Sequence, residues 1–286
     1  MDGSADWMMS VPDDRPISMI SIPGSHNSGA DCSQLAYFTK CQSADIYTQL
    51  EMGVRYLDIR LGILEGELTL WHSFCRCQVS AWPLSAALTM ESVIDDCRMF
   101  LSRHPSETVI LVCKSERDDD ISEIQEMLDS LIGDDQLWIL SGSVPTMGEC
   151  RGKIVLMRRW QDDAGLEDRA GIEVGWNDQG NRGETYLMSE YEYSGDIGVY
   201  IQDRYKYEAD DKWDAVLDSL SCSPDDETLN ICFLSTNGDN DYGHPYKYAQ
   251  ILNRRFMEEE IRTDGAWVIA DFVTPALCEK IYSLNR

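Results

Sequence analysis

Seven places in the chain put ionisable side chains at or just past the end of an apolar run: His26, Asp58 with Arg60, His72, Lys114, Arg159, Asp203 and Asp271. One of them alone would read as a solvated strand end. Their recurrence does not. Two histidines let a proton be taken at one point and returned at another, and each such transfer is typically worth about 10²- to 10⁴-fold in rate. Three cations gathered in a chain of formal net charge −27 point to an anionic substrate. The series opens in Ile20-Ser21-Ile22-Pro23-Gly24-Ser25-His26-Asn27-Ser28-Gly29, where a strand-like run stops at Pro-Gly and delivers an imidazole followed by an amide. Taken by itself, His26-Asn27 would pass for a turn, since Asn tolerates the left-handed conformation.

The elements that must position these groups alternate. Strand-like runs fall at 17–22, 54–61, 68–72, 108–113, 153–157, 198–201, 230–234 and 267–270, and helical spacing appears at 43–52, 84–104, 121–132, 210–220, 246–261 and 276–284. No low-complexity linker separates them, so a single α/β domain over 1–286 with a parallel sheet is expected. Pro23-Gly24-Ser25 is not the Gly-rich phosphate turn of an open doubly wound sheet. A single distorted (β/α)8 barrel of the TIM type, irregular in its helices and incomplete on one side, is the better fit. In such barrels the loops at the carboxyl ends of the strands carry the site. The polar stretch 161–194 reads as a long loop over one face.

Composition sets bounds. The negative charge argues against a nucleic-acid partner and against bulk adsorption to anionic lipid. No apolar run reaches 18 residues, and residues 1–7 lack the pattern of a signal peptide, so the expected location is cytoplasmic, or secreted if a leader has been trimmed. Ten cysteines follow no zinc spacing; Cys97, Cys113 and Cys232 fall in apolar patterns, whereas Cys32, Cys41, Cys75 and Cys77 lie in loop-like segments where a disulfide is possible. Tyr37, Phe38, Trp82 and Tyr242 are aromatic candidates for a transient membrane contact. His104 reads as a helix-end residue against the dipole and His244 as a loop residue, neither catalytic.

An ordered set of motifs carries a resemblance: Ser18-Met19-Ile20-Ser21-Ile22-Pro23-Gly24-Ser25-His26-Asn27-Ser28-Gly29, Gly53-Val54-Arg55-Tyr56-Leu57-Asp58-Ile59-Arg60, His72, Pro105-Ser106-Glu107-Thr108-Val109-Ile110, Arg151-Gly152-Lys153-Ile154-Val155-Leu156 and Gln202-Asp203-Arg204-Tyr205. From about Trp7 to Asp271 the chain resembles the bacterial-type phosphatidylinositol-specific phospholipases C. The resemblance implies a distorted β/α barrel and a lyase that releases diacylglycerol and inositol 1,2-cyclic phosphate, with the inositol 2-hydroxyl as internal nucleophile. Its substrate would be phosphatidylinositol or a related inositol phospholipid, reached by peripheral, transient membrane contact, and the protein would be a monomer. By position, His26 resembles the general base and Asp271 the carboxylate that orients it. His72 resembles the general acid, and Arg60 the guanidinium on the phosphate. Lys114, Arg159 and Asp203 resemble the inositol-hydroxyl contacts, and Tyr205 the ring beneath the sugar.

One residue departs. Bacterial members have Asp where this chain has Asn27, and the amide is expected to orient His72 in its place. Calcium-dependent relatives do have His-Asn, which makes Asn27, Asp58 and Glu116 an alternative calcium set. Calcium takes six to eight oxygens, and Arg60 stands where those relatives have a carboxylate, so no cofactor is expected. Two other readings compete: a calcium-dependent phosphodiesterase on a related barrel, and a non-catalytic inositol-phosphate-binding module.

Overall fold

The computed structural model describes residues 4–82, 84–162, 164–180, 190–194, 197–239, 243–263 and 265–285. Its strands are β1 (Ile22–Ser25), β2 (Tyr56–Leu64), β3 (Glu67–His72), β4 (Cys75–Arg76), β5 (Val109–Ser115), β6 (Trp138–Ile139), β7 (Ile154–Arg158), β8 (Ile172–Glu173), β9 (Glu190–Ser194), β10 (Ile197–Gln202), β11 (Thr228–Phe233) and β12 (Ala266–Ala270). They form one sheet that runs β6-β7-β5-β2-β1-β12-β11-β10-β9. Every pairing from β6 to β10 is parallel, and β9 closes the edge antiparallel to β10. Among the described residues β6 and β9 do not meet, so eight parallel strands make a barrel left open on one side. The helices are α1 (Ala36–Thr39), α2 (Ile46–Glu51), α3 (Met90–Arg103), α4 (Ile121–Ile132), α5 (Met147–Cys150), α6 (Ala209–Leu220), α7 (Pro245–Glu258) and α8 (Pro275–Tyr282).

Nearly every strand residue is buried, yet the sheet keeps a period of two. Ile110 and Val112 of β5 pack into the barrel with Ile22, Tyr56, Val155, Met157, Val199, Ile201, Leu229, Ile231, Trp267 and Ile269. Their neighbours Leu57, Leu111, Leu156, Cys232 and Val268 face outward, against the apolar stripe of α3 (Val93, Ile94, Cys97, Phe100, Leu101) and that of α4 (Ile124, Leu128, Ile132). Following the inward series two residues at a time leads from the core to the site: Ile22, Gly24, His26; Tyr56, Asp58, Arg60; Ile110, Val112, Lys114; Val155, Met157, Arg159; Val199, Ile201, Asp203; Trp267, Ile269, Asp271. Alternation along a strand thus aims six segments at one mouth. Gly24 is required within this series. A Cβ there would lie 2.9 Å from Ile269 Cγ1 and 3.0 Å from Tyr56 Cβ, so no larger residue fits between the flanking strands.

The structure differs from sequence expectation in four places. Residues 17–19 form a 3₁₀ turn rather than a strand, and Ile17 and Ile20 bury as part of a plug at the amino-terminal end of the barrel. The strand expected at 68–72 is not a barrel strand. It folds back on β2 through Glu65 and Gly66, both at positive φ, as a two-residue hairpin loop requires. Helix α3 begins only at Met90, because Leu88 instead exchanges backbone hydrogen bonds with Leu70 and Cys77. The loop expected at 161–194 contains β8 and β9. All ten cysteines are free.

Arg55 and Glu107 lie in the quoted motifs but serve the scaffold. They form a fully buried ion pair with a 2.8 Å contact, Arg55 donates to the carbonyls of Ala5, Leu50 and Val54, and Glu107 accepts from the Met8 N–H. The pair ties the amino-terminal segment to the starts of β2 and β5.

Candidate active site

The inward series ends around a cavity of about 470 Å³, lined by His26, Arg60, His72, Lys114, Glu116, Arg159, Asp203, Tyr205 and Asp271, together with Trp176, Asp178 and residues 235–237. His26 follows β1 directly. Its Nδ1 lies 2.7 Å from Asp271 Oδ1, just past β12, and its Nε2 lies 3.1 Å from both Arg60 Nη2 and Asn27 Nδ2. The last two are donors, so Nε2 carries the lone pair and the proton sits on Nδ1, shared with Asp271. That is the arrangement of a base whose second nitrogen is held by a carboxylate.

His72 stands across the cavity, its ring centroid 6.2 Å from that of His26. Nδ1 donates to the Thr39 carbonyl at 2.7 Å, which leaves Nε2 free to face the cavity. Burial, then the neighbouring His26 charge, push the His72 imidazole below its usual range. Asn27 does not partner His72 as expected. The backbone turns through a positive φ of 44° at Asn27, its amide lies on His26, and the carbonyl of Thr39 takes the place expected for it.

Arg60 is the hub. Nε and Nη2 donate to Asp58 Oδ2 at 3.3 and 3.2 Å, and Nη1 donates to Glu116 at 3.3 and 3.4 Å. Burial pushes the Asp58 carboxyl up, but Arg60, His26 and Arg159 together with the Asn27 N–H pull further and hold it well below the usual carboxylate range. Two buried oxygens, Asn27 Oδ1 and Asp58 Oδ1, have no hydrogen-bond partner among the described residues, and a calcium ion would have use for them. The third oxygen of that set, on Glu116, is engaged by the guanidinium, as is the other oxygen of Asp58. A guanidinium bridging two of three carboxylate or amide groups does not fit a cation that seeks six to eight oxygens.

On the other wall Arg159 stacks at 3.5 Å on the Trp176 ring, whose Nε1 donates to Asp203 Oδ2 at 3.1 Å; Arg159 itself lies 4.0 Å from Asp203. Lys114 donates to Glu116 at 3.3 Å, and burial lowers its ammonium below the ordinary range. Tyr205 donates to Asp178 at 2.7 Å with its ring at the cavity wall. Trp176 and Asp178 were missed in the sequence because they lie in the stretch read as loop. Residues 235–237 follow β11, and their place at a strand end was the available signal. His104 is the C-cap of α3, paired with Asp6, and His244 the N-cap of α7, in contact with Tyr37. Both lie outside the constellation. Tyr37, Phe38 and Trp82 are exposed, whereas Tyr242 lies outside the described residues.

A family model described as phosphatidylinositol-specific phospholipase C, X domain, matches residues 13–160, more than half of the chain, and the chain belongs to that family. Among curated proteins it is 26% identical to a 1-phosphatidylinositol phosphodiesterase of Staphylococcus aureus, over 93% of this chain and 88% of that protein. It is also 26% identical to human PI-PLC X domain-containing protein 1, over 66% of this chain and 67% of that one. Of solved structures, a phosphatidylinositol-specific phospholipase C of S. aureus matches with TM-score 0.80 at 21% identity over 99% of this chain and 98% of that chain. That of Listeria monocytogenes matches with TM-score 0.72 at 20% identity over 99% of both. The fold is therefore the barrel of these enzymes.

Proposed function

We propose that the chain is a phosphatidylinositol-specific phospholipase C that works without a metal. The observation that carries this reading is the placement of His26 between Asp271 and Arg60, with His72 facing it across a cation-lined cavity. His26 Nε2 takes the proton of the inositol 2-hydroxyl, and Asp271 stabilises the imidazolium through Nδ1. The 2-oxygen attacks phosphorus and the bond from phosphorus to the glycerol oxygen breaks. His72 Nε2 gives its proton to that oxygen, so diacylglycerol leaves and a five-membered cyclic phosphate remains. The phosphodiester anion beside His72 favours the charged imidazole against its burial. Arg60 donates its fork to the phosphate oxygens, where a planar guanidinium is the suited group. Lys114, Arg159 and Asp203 hold the inositol hydroxyls, and Tyr205 lies against the ring. Phosphatidylinositol is the substrate to which the relatives' names point. Exposed Tyr37, Phe38, Phe74 and Trp82 support a peripheral lipid contact through their apolar ring area, Tyr37 and Trp82 with a polar group as well.

The test is a matched pair of substrates in the presence of chelator. Phosphatidylinositol should yield inositol 1,2-cyclic phosphate, and its 2-O-methyl analogue should bind as an inhibitor without being cleaved. Cleavage of the methylated lipid at a comparable rate would replace the internal nucleophile with water and overturn the mechanism.

A further inference from the structure

Behind the imidazole of His26, on the side away from Arg60, lie Asp271 and Cys41. Ligand atoms of the three residues all fall within 4.8 Å of one another. Asp271 is held by His26 Nδ1 at 2.7 Å, and Cys41 Sγ lies 3.7 Å from His72 Nδ1. No step of the proposed mechanism uses Cys41. An imidazole nitrogen, a sulfur and a carboxylate oxygen are donors that tetrahedral Zn²⁺ takes, at about 2.0–2.3 Å, with a fourth position left for water. At tetrahedral angles those lengths set donors about 3.5 Å apart, so the triangle needs to tighten by little more than about 1 Å.

We propose that His26, Cys41 and Asp271 form an inhibitory site for Zn²⁺ and similar thiophilic divalent cations. This site is distinct from the oxygen set of Asn27, Asp58 and Glu116. There Arg60 occupies the carboxylates; here the imidazole ring stands between the guanidinium, which meets Nε2, and the cluster, which meets Nδ1. His26 and Asp271 both line the cavity, which gives the ion its way in. Binding releases the thiol proton to solvent. Zn²⁺, thiolate and carboxylate then sum to no net charge, which suits a buried position. The metal takes Nδ1, which meets the cluster, and the imidazole proton moves to Nε2. The lone pair that would accept the substrate proton is then gone, so occupancy stops turnover. Ca²⁺ and Mg²⁺, which prefer oxygen, are excluded by the sulfur.

The inference shares His26 and Asp271 with the proposed function, and its readout is therefore binding to the full chain, which needs no turnover. Titration with Co²⁺ should give a thiolate-to-metal charge-transfer absorption that saturates at one equivalent and is displaced by Zn²⁺. Cys41→Ser should lose that absorption and weaken Zn²⁺ by more than about 100-fold, since a direct ligand is worth more than the about 10- to 100-fold of an outer partner. Asp271→Asn should keep the absorption and bind more weakly. In the turnover assay, Zn²⁺ that stops the wild type should leave Cys41→Ser working, and chelator should restore the wild type. Absence of the absorption in folded wild type overturns the proposal. So does equal Zn²⁺ affinity in Cys41→Ser, which would place the ion on other ligands.

Discussion

Replacing Arg60 separates its two duties, and the structure sets the size of each. Its guanidinium meets Asp58 at 3.2 Å, Glu116 at 3.3 Å and His26 at 3.1 Å, three directions that a single ammonium does not cover. Arg60→Lys keeps a positive charge near the buried carboxylate and loses the fork aimed at the phosphate. Removal of one preorganised donor to developing charge costs about 10²- to 10³-fold in kcat, roughly 2.7–4 kcal/mol. Arg60→Met loses the charge as well and leaves Asp58, 1% exposed, without the cation that holds it ionised. An uncompensated buried charge of this kind costs about 3–5 kcal/mol of stability. The expected pattern is a comparable fall in kcat for both variants, with a large fall in stability only for Met. Initial rates on phosphatidylinositol in chelator and urea unfolding read the two quantities. The pH dependence gives a further check. A carboxyl whose folded value is depressed contributes stability above its unfolded value, about 3.9, and loses it as pH falls toward the folded value. The stability gap between wild type and Arg60→Met should therefore shrink below about pH 4. Arg60→Lys with kcat within about threefold of wild type would refute the role given to the fork, since the expected loss is at least about 10²-fold.

Three further outcomes follow from the same geometry. His72 sits below its usual value through burial and the His26 charge, so the alkaline limb of kcat/KM should lie on the acid side of 6.5, and His72→Ala should be largely rescued by a substrate with a good leaving group. Trp176→Phe keeps the stack on Arg159 and loses the 3.1 Å bond to Asp203; KM should rise about tenfold, the equivalent of roughly 1.4 kcal/mol, with little change in kcat. Lys212 is fully buried, donates to Gln202 Oε1 at 2.6 Å, and is lowered by burial from 10.5 to about 8. Between those values the unfolded chain binds the extra proton, so stability rises with pH. Wild type should gain about 3 kcal/mol relative to Lys212→Met from pH 8 to pH 10.5, at 1.36 kcal/mol per unit, measured by denaturant unfolding at each pH.

The inward series explains why so much of the site could be read from the chain. Each of His26, Lys114, Arg159, Asp203 and Asp271 stands one period of two beyond a buried inward residue, and that spacing survives even when both faces of the strand are apolar. Strand partners are another matter. The run at 68–72 has the composition of a barrel strand, and only the tight turn at Glu65-Gly66 sends it back along β2, which is how His72 arrives from a hairpin rather than from the barrel. Asn27 was assigned to His72 through the aspartate that the resembled bacterial enzymes have at its position, and the sequence does not show the positive φ with which its amide meets His26 instead. Trp176 and Cys41 had no readable signal for these roles: one lies in an irregular stretch and the other, in a loop-like segment, suggested at most a disulfide until the fold brings it beside His26 and Asp271. Arg55 and Glu107, conspicuous within the motifs, turned out to be scaffold.

A two-histidine site with Arg60 in place of a metal should cleave phosphatidylinositol through the lipid's own 2-hydroxyl. ³¹P NMR of phosphatidylinositol micelles incubated with the protein in excess chelator tests it most directly. The resonance of inositol 1,2-cyclic phosphate should grow as the lipid signal falls, with no such change in His26→Ala. An unchanged lipid signal, or turnover that starts only when Ca²⁺ is added in excess of chelator, would contradict it.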